Sequence, residues 1–136
     1  MEGFAVSVRF PVLWGDMDSL GHVNNARYFT WFESARIEYL RALGLETEGA
    51  PEYGPILAHT SCDFLAPVVW PAEVEVGARA PRIGKTSFEM EYRAVLCGAE
   101  QEVVARGKGV VVMFNYATGQ KVAVSDALRA RIQELG

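Results

Sequence analysis

From Phe4 to Val12 the apolar residues take every second position (Phe4, Val6, Val8, Phe10, Val12), with Ser7 and Arg9 between them. That period predicts a half-buried strand. After Trp14 the alternation gives way to a polar, glycine-punctuated loop, Gly15 to Asn25. Ala26 to Leu43 has no proline or internal glycine and sets Tyr28, Phe32, Ala35, Tyr39 and Leu43 at helical spacing. Phe29, Trp31, Ile37 and Leu40 widen the apolar arc, which predicts a helix enclosed by the rest of the fold. Asn24 or Asn25 can cap its start and Gly44 its end. Thr47 to Pro55, with two prolines and two glycines, reads as a mobile loop. Four strands are then expected: the apolar run Ile56 to Leu65, the alternating segments Val74 to Ala80 and Phe88 to Leu96, and the valine-rich Val103 to Phe114. Turns are expected at Arg82–Lys85, Gly98–Glu100 and Asn115–Gln120. Ser125 can cap a short last helix whose Leu128, Ile132 and Leu135 share one face.

This order predicts an α+β fold, with a sheet of about five antiparallel strands, one long helix and a short C-terminal helix. One helix cannot cover both faces of such a sheet or its edges, so at least a homodimer is expected. A length of 136 residues suits a single domain, 1–136. Hydrophobic residues at 50% and charged ones at 22% exclude disorder. The net charge of -4, with no block of Lys and Arg, argues against nucleic acid as a partner. No apolar run approaches the ~20 residues of a membrane span, and the first residues do not read as a leader, so no membrane partner is expected. Cys62 and Cys97 match neither a zinc spacing nor a disulfide framework. Reduced, buried thiols and a cytoplasmic setting are the expectation.

Candidate chemistry concentrates between Asp16 and Tyr28, where two carboxylates and a histidine precede the N-terminus of an apolar helix. Such a terminus offers backbone N–H groups without partners and a partial positive charge, which can hold a polarised carbonyl oxygen. A carboxylate just upstream can then attack the carbonyl carbon or activate water. By residue type alone Asp16 and Asp18 serve equally as turn or helix caps, and His22 and His59 as structural histidines. Glu33 and Arg36, three apart on the helix, suit an ion pair. No Gly-x-Ser-x-Gly surrounds Ser19 or Ser61, so a serine triad has no support.

Taken as a unit, Asp-x-Asp-x-x-Gly-His-Val-Asn-Asn-x-x-Tyr from Asp16 to Tyr28, followed by Phe32-Glu33-Ser34-Ala35-Arg36, resembles the signature of hotdog-fold acyl-CoA thioesterases of the 4-hydroxybenzoyl-CoA thioesterase-like family. Phe64-Leu65-Ala66-Pro67, Pro71-Ala72-Glu73 and Gly84-Lys85-Thr86-Ser87-Phe88 are similar to later passages of that family, so the likeness spans residues 6–115. The resemblance implies a hotdog fold, a curved antiparallel sheet wrapped around the long helix, assembled as a homodimer or homotetramer. It implies hydrolysis of acyl-CoA to a free acid and CoA, with CoA as part of the substrate and no metal or separate cofactor. Asp18 falls on the catalytic carboxylate, as nucleophile or general base, and Asn25 on the residue whose N–H polarises the thioester carbonyl. The His22–Asn25 segment is also similar to plant acyl-carrier-protein thioesterases, which use Asp, Asn and His together; Leu20 stands in the Asn position here, so His22 is expected to orient the loop. Arg82, Lys85 and Thr86 match the turn that meets the CoA phosphates. Two alternatives are a hotdog enoyl-CoA hydratase, whose Asp-x-Asn-Pro-x-His is not present here, and a non-catalytic acyl-CoA-binding module, which would not need Asp18.

Overall fold

The structure is a computed structural model that describes residues 1–45, 52–98 and 100–136. Its elements run β1 (Val6–Val12), a single 3-10 turn at Trp14–Asp16, α1 (Asn25–Ala42), β2 (Tyr53–Phe64), β3 (Ala72–Ile83), β4 (Ser87–Leu96), β5 (Val103–Asn115), β6 (Gln120–Lys121) and α2 (Asp126–Leu135). Every strand pairing is antiparallel, and the long strands lie in the order β1-β3-β4-β5-β2, with β6 added beside β5. The α+β architecture of a long helix, an antiparallel sheet and a short terminal helix is therefore the observed one. Several boundaries differ from expectation. Strand β3 runs on to Ile83, taking in the first two residues of the expected Arg82–Lys85 turn. Gln120–Lys121 forms a two-residue sixth strand in place of the end of a turn, and β2 begins at Tyr53, inside the expected loop Thr47–Pro55. Positions 47–51 of that loop, and Ala99 of the expected Gly98–Glu100 turn, lie outside the described residues.

Alternation decides which residues build the core. On β3, Val74, Val76, Ala78 and Ala80 are buried, and on β4, Phe88, Met90, Tyr92 and Ala94. These positions point to one face of the sheet because side chains alternate along a strand. Helix α1 lies on that face through Tyr28, Trp31, Phe32, Ala35, Tyr39 and Leu40, which recur at three- and four-residue spacing. Fully burying a Phe such as Phe32 contributes about 1.5–3 kcal/mol. Its ring stacks on Tyr92 at 5.0 Å and covers Gly107 on β5, where a Cβ would meet the ring carbons. Glycine at position 107 thus lets helix and sheet close on each other.

Contrary to what its wide apolar arc predicts, the helix is not enclosed within the chain: Arg27, Thr30, Glu33, Glu38 and Arg41 face outward. Glu33 and Arg36 form the expected pair, at 3.8 Å, and the buried Arg36 guanidinium also donates to the Tyr92 hydroxyl at 3.3 Å. At the other end of the sheet, α2 buries Leu128 and Ile132. Its Arg129 donates to the Gly84 carbonyl at 2.9 Å, and the Val124 N–H before it donates to Lys85 O at 2.8 Å, so the β3–β4 turn is held against the chain's last segment. No helix among the described residues is long and apolar enough to cross a membrane.

Candidate active site

The loop between β1 and α1 is fixed at both ends by Asp16. Its carboxylate accepts from the Leu13 N–H at 2.8 Å and lies 3.6 Å from the Arg27 guanidinium, while its carbonyl accepts from the Asn24 N–H at 2.9 Å. Asp18 shapes the tip. Its N–H donates to His22 O at 3.0 Å, its carbonyl accepts from the Gly21 N–H at 3.0 Å, and its Oδ1 accepts from the Leu20 N–H at 2.9 Å. Gly21 has φ of +80°, in the left-handed region that glycine enters without steric cost. Among the described residues no donor reaches the second carboxylate oxygen of Asp18.

The loop delivers the chain into α1. Asn24 is the N-cap, in extended conformation, and its side chain accepts from the Ala26 N–H at 2.9 Å. Asn25 is the first helical residue, and none of the described residues accepts from its N–H. This unpaired donor sits at the positive end of the helix dipole. In front of it lies a cleft of about 220 Å³ lined by His22, Val23, Asn25, Tyr28, Phe64 and Leu65, among others. The cleft is walled by aromatic rings: Tyr28 meets Phe64 edge-on at 5.0 Å and Trp31 at 4.6 Å. Burial raises the Tyr28 hydroxyl pKa, with the neighbouring Cys62 adding to it, and burial pushes the Cys62 thiol up to about 11, with Asp63 adding. Cys62 is therefore a protonated thiol at neutral pH and a poor nucleophile.

Of the residues singled out by sequence, His22 and Asn25 share this cleft, and Asp18 lies half-buried in the adjoining loop without lining it. Arg82, Lys85 and Thr86 lie in and beside the β3–β4 turn. Arg82 is exposed, stands 3.8 Å from Glu89, and lines a separate cleft of about 440 Å³ with His59 and Lys108. Lys85 is exposed, and the Thr86 carbonyl accepts from the Met113 N–H at 2.9 Å. Within one chain the turn and the helix terminus therefore share no described cleft. Phe64 and Leu65 are site residues that sequence reasoning missed. Two large apolar residues closing a strand just before Ala66-Pro67 were the available signal. Among the described residues no cluster of three or more His, Cys, Asp or Glu is placed to hold a metal.

A carboxylate in the loop that leads into an unpaired helix N-terminal donor suits acyl transfer. Residues 12–132 match the profile of the thioesterase-like superfamily, which takes in this loop, helix α1 and strands β2 to β6. The chain belongs to that superfamily. Accordingly, it is a thioester hydrolase. A thioesterase from Thermus thermophilus, solved in complex with coenzyme A and Zn, is similar at 36% identity, with a TM-score of 0.86 over 99% of this chain and 97% of that one. A thioesterase superfamily structure from Jannaschia sp. CCS1 superposes with a TM-score of 0.90 at 26% identity, covering 99% of this chain and 85% of that one. The Bacillus subtilis protein YsmA is 29% identical over 121 residues, 89% of this chain and 78% of that one. The neighbours share the hotdog-type arrangement of one long helix on an antiparallel sheet.

Proposed function

We propose that this thioesterase acts on acyl-CoA, releasing the free acid and CoA, with Asp18 as the catalytic carboxylate and the Asn25 N–H as the donor to the thioester oxygen. The observation that carries the reading is the unpaired Asn25 N–H at the start of α1, opening onto an aromatic-walled cleft. Charge develops on the carbonyl oxygen as the carbon becomes tetrahedral, and a fixed donor there favours the transition state over the ground state. Asp18, with one carboxylate oxygen committed to the Leu20 N–H and the other without a partner, attacks that carbon or removes a proton from the attacking water. His22 holds the loop through its carbonyl and is one of the residues lining the cleft. The Thermus neighbour's complex with coenzyme A supports CoA as the carrier.

Arg82, Lys85 and Thr86 are the proposed phosphate contacts, supported by the exposure of the two cations on one turn. A homodimer through β2, assembling further to a tetramer, is proposed from the edge itself. Among the described residues strand β2 ends the sheet with no neighbour on its outer side, and Tyr53, Ile56, Leu57 and Phe64 along it are exposed. A long apolar edge left open is a template for pairing.

The deciding experiment is thiol release from a panel of acyl-CoAs by wild type and Asp18→Asn. The substitution keeps shape and removes charge, so the rate is expected to fall on the order of 10²- to 10⁴-fold. Asp16→Asn weakens only a loop anchor and is expected to cost far less. An Asp18→Asn protein that melts cooperatively and retains activity within about threefold of wild type would assign Asp18 to turn capping alone.

A further inference from the structure

The face of the sheet turned away from α1 is charged. Gly107 lies against the Phe32 ring of the helix, so its neighbours Arg106 and Lys108 on β5 point the other way, as do Arg93 and Glu91 opposite them on β4. Arg79 on β3 stands opposite Glu91, and Asp63 and Ser61 on β2 stand opposite Arg106 and Lys108. These side chains line a depression of about 410 Å³, with four cations against two carboxylates. The Glu91 carboxylate is already held by Arg79, at 2.9 Å from Nε and 2.7 Å from Nη2. Elsewhere on the sheet Arg9 and Arg82 stand 3.7 and 3.8 Å from glutamates. Among the described residues Arg93, Arg106 and Lys108 form no ion pair, although the chain has 17 Asp and Glu for 13 Lys and Arg. Arg93 faces Arg106 directly, and like charges so placed repel. The Arg93 Nε is buried, and none of the described residues accepts from it. Its guanidinium carbon stands 4.9 Å from the centre of the Phe4 ring, so a cationic donor sits desolvated between an aromatic face and a second cation. Leaving such a donor unmade is costly.

We propose that Arg93, Arg106 and Lys108, with the Ser61 hydroxyl, form a binding site for a phosphate dianion on the far side of the sheet from the active-site cleft. Cβ atoms of directly opposed residues lie about 5 Å apart and those of diagonal neighbours about 7–8 Å, within the reach of long side chains. Arg93 and Arg106 are opposed and Lys108 is diagonal to Arg93, so the three can close on one small anion. Guanidinium forks match phosphate oxygens in pairs, and the lysine adds a point charge. Two negative charges spread over several oxygens can engage all three cations and the Arg93 Nε–H together, which a single carboxylate with two oxygens cannot. Asp63 beside Arg106 opposes the anion and keeps binding reversible. The site needs neither Asp18 nor Asn25, and it stands whatever the acyl substrate.

The test follows arginine Nε–H resonances of the whole chain by NMR as inorganic phosphate is added at constant ionic strength, with chloride as the control. About pH 8 keeps phosphate largely a dianion. Calorimetry of the same titrations gives the affinity independently of any one resonance. The Arg93 signal should shift saturably with phosphate and not with chloride, while that of Arg79, held by Glu91, stays in place. Arg106→Gln and Lys108→Gln should each weaken phosphate binding by about tenfold or more, the loss of one charge-assisted hydrogen bond. Arg41→Gln, on the outward side of α1, should leave it unchanged. Without phosphate Arg106→Gln should melt no lower than wild type, because it relieves a like-charge contact. Glycerol 3-phosphate carries the same dianion on an ester: binding tighter than inorganic phosphate assigns the site to a phosphate ester, and weaker binding to free phosphate. A shift that never saturates, an equal response to chloride, or an affinity unchanged in both glutamine variants overturns the site. So does a lower oligomeric state of Arg106→Gln in sedimentation, which would assign this face to contact between copies.

Discussion

Burial holds the Cys62 thiol at about 11 against an ordinary 9.0, helped by the Asp63 carboxylate, and the Tyr39 hydroxyl at about 12 against 10.0. In the unfolded chain each group ionises at its ordinary value, so from pH 9 upward the unfolded state gains a stabilisation that the folded state refuses until pH 11. Stability is complete below pH 9 and is lost progressively toward pH 11, with Tyr39 extending the loss toward 12. Thermal melts across this range should show a falling Tm, and Cys62→Ala should flatten the part between pH 9 and 10, before the tyrosines enter. Lys85→Ala is the residue-level test of the phosphate turn: KM for CoA esters should rise at low salt with kcat nearly unchanged, since such contacts are uniform between ground and transition states. Equal KM values would move the phosphate site elsewhere. Among single residues, the candidates Asp18, His22 and Asn25 are singled out by the resemblance of their motif, whose parts a loop entering a helix keeps adjacent in sequence. Phe64 cannot, because its role comes from Tyr28, thirty-six positions earlier in the chain, and only the folded sheet brings the two rings together.

Elements with a strong period are legible to within three residues at either end. Helix α1 runs Asn25–Ala42 against an expected Ala26–Leu43, the difference arising because Asn24 takes the cap and Asn25 becomes helical. Strand β2 starts three residues before the expected Ile56. Gly54 and Pro55 look like breakers, yet Pro55 lies on an edge strand, where a missing N–H costs no ladder bond on the open side. Strand β6, with two residues, has no period to detect. The β2 edge carries its own prediction. Scattering or sedimentation of wild type should show at least a dimer, and Leu57→Lys, placing a charge on that edge, should shift it toward monomer at micromolar concentration. A wild-type chain that is monomeric and fully active would remove β2 pairing from the account.

For the whole molecule, the class of fold follows from the order of elements, but the order of strands does not. Hydrophobic alternation tells which side chains face the core and says nothing of which strand lies beside which. That β2 crosses to the far edge beside β5, while β1 takes the other edge beside β3, appears only in the paired backbone. The separation of the helix terminus from the β3–β4 turn is likewise a property of the assembled sheet, invisible in two motifs that each look complete.

The loop that carries Asp18 has a consequence for how the chain acquires activity. It is pinned by partners far along the sequence: the Val23 N–H donates to Val68 O at 2.8 Å, the Trp70 N–H approaches the Met17 sulfur at 3.4 Å, and β1, from which the loop departs, is zipped to β3 from Val6–Ala78 to Val12–Ala72. Each of these requires closing a long stretch of chain before any contact offsets the lost entropy. Helix α1 and the hairpin of β3 and β4 need only neighbours in sequence. A chain emerging from synthesis or recovering from denaturant thus gains its helix terminus early and the Asp18 loop late, so activity through the carboxylate proposed above is expected to appear only once the sheet is complete.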